Sequence, residues 1–206
     1  MEGKPSLILA SASPRRAQIL RDAGIPFEVV ARHVDETVVP GESAEAMVLR
    51  LAEAKARAAA GSLPANERGI FVLGADTTVV ADDGATILGK PSSPADAARM
   101  LRLLSGRTHR VLTGIAAIRL PGGEFRSAVE STLVTFAEFG ADEIARAIAS
   151  GEPFDKAGAY AIQGRAGRFV ERVDGCYFNV VGLPLHLACK LLGELGWSAE
   201  PASSSG

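Results

Sequence analysis

The sequence predicts an α/β fold, and three features carry that reading. Short apolar runs such as Leu7–Leu9 and Ile70–Leu73 suit buried strands. Ser13-Pro14 and Ser93-Pro94 are cap-plus-proline helix starts. Ala, Leu and Val supply most of the apolar content while aromatics make up only 5%, as in a tightly packed α/β protein. At 206 residues the chain suits one medium domain with a sizeable core, placed here over residues 1–196, with 197–206 as a disordered tail. No repeat or linker divides it. A net charge of −2 excludes broad electrostatic attraction to nucleic acid or to an anionic membrane, so any phosphate site must be a local basic pocket. Cys176 and Cys189 lack metal-ligand spacing and read as buried thiols rather than a disulfide. The apolar runs are too short to span a membrane, and no signal-peptide pattern follows the N-terminus. A cytoplasmic protein is expected.

Taken in order, Leu7–Leu9 forms the first strand and Ser11-Ala12-Ser13 a small-residue turn. Ser13 offers an N-cap oxygen, Pro14 fits the first helical position, and the helix runs to about Ala23 with Gly24 as its stop. The open N–H groups of this helix would lie at the carboxyl end of a strand, which makes an anion site. Arg15 and Arg16 in its first turn oppose the helix dipole, so helix stability does not explain them. Guanidinium groups match phosphate oxygens bidentately, although two solvated arginines remain the plainer alternative. Phe27–Val30 reads as a second strand, and the loop after it carries the acidic pair Asp35-Glu36. Ser43 caps a second helix whose apolar stripe is Met47, Leu51, Ala54 and Ala58. Lys55 lies on or beside that stripe, where it either snorkels along apolar surface or reaches an anionic ligand.

Ile70–Leu73 is a strand ended by Gly74-Ala75-Asp76, with Thr77–Ala81 extended beyond it. Asp82-Asp83-Gly84 turns the chain into Thr86–Leu88, and Gly89-Lys90-Pro91 follows. Asp76 interrupts a hydrophobic β run. A carboxylate there is costly unless it is paired, binds a cation, or serves as a turn residue bonding nearby N–H groups. Further elements are a helix from Ser93-Pro94 to Ser105-Gly106, a buried strand over Val111–Ile118, an alternating strand over Glu124–Phe136, and a helix over Ala141–Ser150. Pro153–Gly167 has no helical or strand period, which suits a binding loop. Phe169–Val173 and Tyr177–Val181 read as short strands, and Leu183–Leu195 as a closing amphipathic helix.

Ser11, Arg15, Arg16, Glu36, Asp76, Thr77, Lys90 and Gln163 thus fall in turns or at strand ends, and Lys55 joins them from a helix. Hydrolysis of a phosphoanhydride needs this mixture: cations to hold negative oxygens, and carboxylates to bind a cation and orient water. There is no Walker P-loop, no dinucleotide-binding glycine fingerprint, no zinc motif and no G-x-S-x-G elbow.

Leu7–Arg16 (LILASASPRR), Gly74–Thr77 (GADT), Gly89–Pro91 (GKP), Leu104–Arg107 (LSGR), Asp155–Gly164 (DKAGAYAIQG) and Val181–Pro184 (VGLP) occur in an order and spacing that resemble the Maf family of nucleoside triphosphate pyrophosphatases. The resemblance runs from about Leu7 to Leu195. It implies an elongated, curved mixed sheet flanked by helices, two lobes with a cleft, similar to the inosine triphosphate pyrophosphatases. It also implies hydrolysis between the α- and β-phosphates of a nucleotide with Mg²⁺ or Mn²⁺. By position, Asp76 matches the proposed catalytic base. Ser11, Arg16, Lys55 and Lys90 match phosphate-contacting positions, and Glu36 matches an acidic position serving metal or water. Glu36 and Asp76 are then the expected metal ligands.

Arg15, Thr77 and Gln163 resemble the set in members acting on dTTP and UTP; a sister group acting on 7-methyl-GTP has Tyr, Gln and Glu there. Gln163 has a donor and an acceptor with which to read a pyrimidine imide edge. The last strand pair is expected to be variable at Phe178 and Asn179. A homodimer is a family-level expectation. A non-catalytic nucleotide-binding regulator of cell division, a nucleic-acid binder, and a pyrophosphatase with another base preference, purine-type or for modified nucleotides, are the alternatives. The carboxylates speak against the first, and the charge and lack of aromatic-basic surface against the second.

Overall fold

The computed structural model describes residues 6–64 and 67–199. The part of the expected tail beyond residue 199 lies outside these residues. The strands are β1 (Leu7–Leu9), β2 (Glu28–Val29), β3 (Ile70–Val80), β4 (Ile87–Leu88), β5 (Thr108–Leu120), β6 (Glu124–Phe136) and β7 (Val170–Asp174). The helices are α1 (Pro14–Asp22), α2 (Ala44–Ala60), α3 (Pro94–Leu104), α4 (Ala141–Ala149), α5 (Tyr177–Val181) and α6 (Leu185–Glu194). The strands form one mixed seven-stranded sheet in the order β2-β1-β3-β5-β6-β7, with β4 on β3. β1 is parallel to β2 and to β3, with Leu7, Ile8 and Leu9 facing Phe71, Val72 and Leu73. The helices α1 and α2 lie between these strands in sequence, as parallel pairing requires of its crossovers. β4 and β7 pair antiparallel with β3 and β6.

Side chains at the element ends explain the boundaries. Ser43 and Ser93 accept from the backbone N–H of Ala46 and Asp96, and so cap α2 and α3. The Asp83 carboxylate accepts from Ala85 N, Thr86 N and Thr86 Oγ1, fixing the β3–β4 turn. Those bonds, led by the Thr86 hydroxyl, bring the Asp83 carboxyl down to about 2. Ser13 behaves differently from expectation. Its side chain makes no cap bond, and its backbone N–H instead donates to Ser11 Oγ at 3.2 Å.

By its contacts the chain forms two compact units. The first holds the chain up to Asp76, Gly114–Val129 and the chain from Gly182 onward; the second holds Thr77–Thr113 and Glu130–Val181. In the first unit, Ile8, Ala52, Ala56, Ile70, Val72, Ala116 and Ile118 make the α2-on-sheet core. In the second, Leu88, Leu101, Leu104, Val134, Phe136 and Tyr160 make a core with more aromatic content.

Two expectations fail for identifiable reasons. β3 does not stop at Gly74-Ala75-Asp76 but runs unbroken to Val80. Gly74 is there for space, since a Cβ on it would lie 2.3 Å from the Ala52 carbonyl oxygen in α2. Tyr177–Val181 is a helical turn, not a strand. Val180 and Asn179 donate their N–H groups to the Cys176 carbonyl, and the Asn179 side chain is fully buried. Tertiary bonding overrides the β propensity of Tyr, Phe and Val at this point. The Pro153–Gly167 segment carries short 3-10 turns rather than regular structure.

Candidate active site

In the first unit, α2 approaches the sheet closely because its contact residues are small. Ala52 and Ala56 pack on Gly74 of β3, and the Val48 carbonyl lies over Gly114 of β5, where a Cβ would come within 2.3 Å of it. This seating delivers Lys55 to β3 at Asp76. Its ammonium donates to Asp76 Oδ1 at 2.6 Å. It also pairs with Glu36 Oε1 at 2.6 Å, so one cation draws together carboxylates from a strand and from a loop. The Lys55 and Asp76 side chains are only 15% and 14% exposed, while Glu36 is 48% exposed. Among the described residues the second Asp76 oxygen, Oδ2, is uncommitted. The costly aspartate of the apolar run is therefore paired, and Lys55 turns from the apolar stripe to two carboxylates of the protein itself.

Arg16 is buried, and its guanidinium ties three segments of this unit together. Nε donates to the Gly182 carbonyl at 2.7 Å, and Nη1 donates to the Ala75 carbonyl and to Ser11 Oγ at 2.9 Å each. Burial pushes its pKa down from the ordinary value, Asp76 raises it, and neighbouring Arg15 lowers it. The sequence places Ser11 and Arg16 on phosphate; here the Ser11 hydroxyl oxygen takes N–H groups from Ser13 and Arg16. Arg15 is half-buried in the first turn of α1.

The second unit carries the other sequence-chosen residues. Lys90 and Gln163 are exposed, on the loop after β4 and on the irregular 153–169 segment. Thr77 Oγ1 lies 2.9 Å from Thr113 Oγ1, and Thr113 donates to the Asn179 carbonyl at 3.3 Å. Asn179 in turn donates its amide hydrogens to the Val111 carbonyl and to Thr132 Oγ1, at 2.9 Å each. Asn179 is thus the buried hub beneath Thr77. It lies in the stretch expected to be variable, and its signal in the sequence is an asparagine inside an apolar pentad.

Asp76 and Glu36 fit a divalent cation by the chemistry of their donors: two hard carboxylates suit Mg²⁺ or Mn²⁺ that takes its other ligands from phosphate and water. Among the described residues no group of three or more His, Cys, Asp or Glu could hold a metal by protein ligands alone. No described helix is long and apolar enough to cross a membrane.

The fold has a counterpart in the Ham1 protein of Staphylococcus aureus, whose structure matches with a TM-score of 0.51 at 18% identity, covering 91% of this chain and 98% of that one. At that identity the likeness defines the mixed α/β fold. The family follows from sequence. Residues 6–195 match the model of the Maf-like proteins, and the chain belongs to the Maf family. It is 50% identical over 191 residues to the dTTP/UTP pyrophosphatase of Geobacillus sp. (strain WCH70), covering 93% of this chain and 98% of that protein. It is 49% identical to the dTTP/UTP pyrophosphatase of Symbiobacterium thermophilum, covering 93% of this chain and 94% of that one.

Proposed function

We propose that the protein hydrolyses dTTP and UTP to the nucleoside monophosphate and pyrophosphate. The observation that carries this reading is Lys55, partly buried between Asp76 and Glu36 at 2.6 Å from each. Relatives of this length and identity are named dTTP/UTP pyrophosphatases, which fits the same chemistry. A water oxygen forms a bond to the α-phosphorus, the bond from that phosphorus to the oxygen bridging to the β-phosphate breaks, pyrophosphate leaves with that oxygen, and the proton lost by the water passes by way of Asp76 to solvent. Asp76 accepts a hydrogen bond from that water through Oδ2 and orients it for in-line attack. Lys55 offsets charge on the phosphates and holds Asp76 in place. A divalent cation bound by Asp76 and Glu36 would neutralise phosphate charge and polarise the phosphorus–oxygen bonds. Lys90 contacts phosphate, as do the N–H groups at the start of α1. Arg16 acts by fixing that helix start, with Ser11, and by its charge. Arg15, Thr77 and Gln163 select the base. The proposal includes a homodimer in the cytoplasm, with no nucleic-acid or membrane partner.

The experiment is pyrophosphate release from dTTP, UTP, CTP, dATP, GTP and 7-methyl-GTP with Mg²⁺ or Mn²⁺. Turnover of dTTP and UTP alone is expected. Asp76→Asn is expected to lose at least ~1,000-fold in kcat while still binding nucleotide, since it removes an interaction realised at the reacting water. Full activity in that variant would remove the mechanism. Release from another base would discard the assignment of Arg15, Thr77 and Gln163.

A further inference from the structure

Glu36 sits on a stretch, residues 31–43, that has no helix or strand to hold it. An ion pair half open to water contributes little ordering by itself, about 0–1 kcal/mol. The stretch is braced by side-chain hydrogen bonds on both sides of Glu36. On the near side, Asp35 Oδ1 accepts from the Thr37 N–H at 2.9 Å and from Thr37 Oγ1 at 2.5 Å, closing a small turn around Glu36. On the far side, Arg50 of α2 reaches over the loop. Its Nε and Nη2 donate to Glu42 Oε1 and Oε2, both at 2.7 Å, and Nη2 also donates to the Thr37 carbonyl at 3.3 Å. The Glu42 side chain is only 11% exposed.

We propose that Arg50 and Glu42 are positioning residues that clamp the 35–42 loop to α2 and so hold Glu36 on Lys55 beside Asp76. The helix that presents Lys55 also presents Arg50, five residues earlier. Loop carboxylate and helix ammonium therefore share one rigid support. A planar guanidinium matches a carboxylate with two parallel bonds, so the pair fixes direction as well as distance. The same bonding shows in its charges: the hydrogen bond from Arg50 lowers the Glu42 carboxyl, and that bond raises the Arg50 guanidinium. Arg50 acts on Asp76 by charge alone, and its hydrogen bonds go to the loop that carries Glu36, through Glu42 and the Thr37 carbonyl. The proposal rests on the reading of Glu36 as a working carboxylate in dTTP/UTP hydrolysis.

The test uses the full chain with Arg50→Gln, Glu36→Gln, the double variant, and the charge-reversed pair Arg50→Glu with Glu42→Arg. Amide hydrogen exchange is read over residues 31–42 and over α2, beside steady-state kinetics with dTTP. Arg50→Gln is expected to speed exchange of the loop at least ~10-fold while α2 stays protected, and to lower kcat about 10-fold, a usual size for a misplaced group. In the Glu36→Gln background the same substitution should cost no further activity, because the clamp has nothing left to position. The reversed pair should recover most of the lost kcat. An equal loss in both backgrounds, or loop exchange that does not change, would overturn the clamp. Full activity of Glu36→Gln would instead overturn the role of Glu36 itself, a result the exchange data would separate from failure of the clamp.

Discussion

The two units hold their functional side chains in opposite ways. In the first, Lys55 and Asp76 stand on a helix and a strand that touch through Gly74, Ala52 and Ala56, so neither can move without the core. In the second, Lys90 and Gln163 are exposed on irregular backbone, while the buried polar groups stand on other residues: Thr113 and Asn179 behind Thr77, and a His109–Tyr160 pair. Lys55 and Asp76, proposed to act at the attacking water, are locked by close packing, whereas Gln163, proposed to read the base, is placed where backbone can vary at little cost to stability.

Replacing Gly74 by Ala is the strongest way to break that contrast. The new Cβ would lie 2.3 Å from the Ala52 carbonyl oxygen and 2.9 Å from the Ala56 Cβ, and a backbone oxygen cannot rotate away. We expect a loss of about 3 kcal/mol in stability. Where the variant is still folded, we expect an activity loss of order 100-fold, because α2 must lift and Lys55 with it. Gly89→Ala is the matched control in the second unit. It lies beside Lys90 with nothing within 4 Å of its added Cβ, and it should change neither melting nor kcat appreciably. Equal effects at the two sites, by thermal denaturation and pyrophosphate release, would erase the distinction.

A smaller effect tests where the second unit keeps its rigidity. His109 is 1% exposed, with Nε2 2.8 Å from the Tyr160 hydroxyl and its ring edge-on to Phe136 at 4.9 Å. Burial lowers its pKa from 6.5 to about 4. The unfolded imidazole therefore takes its proton near pH 6.5 and the folded one only near 4, so in that window the unfolded chain binds more protons. Stability from this group is complete above about pH 6.5, declines as pH falls, and is fully lost below about pH 4. The expected fall between pH 7 and 4.5 is about 2 kcal/mol in urea denaturation. His109→Phe should flatten that slope whatever it does to absolute stability. An unchanged slope would place the acid sensitivity elsewhere.

The contrast also explains what could be read in the sequence. Element starts were legible where a side chain or a proline acts locally: Pro14, and Ser43 and Ser93 with their cap bonds. Lys55 was legible because helical periodicity put a charge on an apolar stripe, and Asp76 because a carboxylate broke a β run. Both problems are resolved by the pair they form. The illegible parts depend on residues distant in sequence. Nothing local distinguishes Gly74 as a contact glycine from Gly74 as a turn, and Asn179 is a hub only because Val111 and Thr132 reach it. The Arg50–Glu42 clamp looks like ordinary surface charge until the loop folds back over α2. Arg16, placed on phosphate from its motif, donates to two backbone carbonyls from a buried position that sequence alone does not reveal.

Gln163 should give the smallest effect and the sharpest one. Its side chain is exposed, so Gln163→Ala should leave stability within about 0.5 kcal/mol of the parent. If this amide reads a pyrimidine imide, its loss removes hydrogen bonds worth about 1–1.5 kcal/mol, and kcat/KM for dTTP and UTP should fall roughly 10-fold. The fall should be shared by the two substrates, since both present the same imide edge, and should be much smaller for CTP, whose edge differs. Gln163→Glu should be worse than Ala. A carboxylate keeps an acceptor for the imide N–H but turns the donor into a second acceptor, facing a base carbonyl with charge where a hydrogen was needed. A selectivity ratio measured across dTTP, UTP and CTP thus separates base reading from general damage in a way that loss of rate cannot. Equal losses on all three nucleotides would make Gln163 a loop residue only, and base choice would then fall to Arg15 and to Thr77 with the buried Thr113–Asn179 support beneath it.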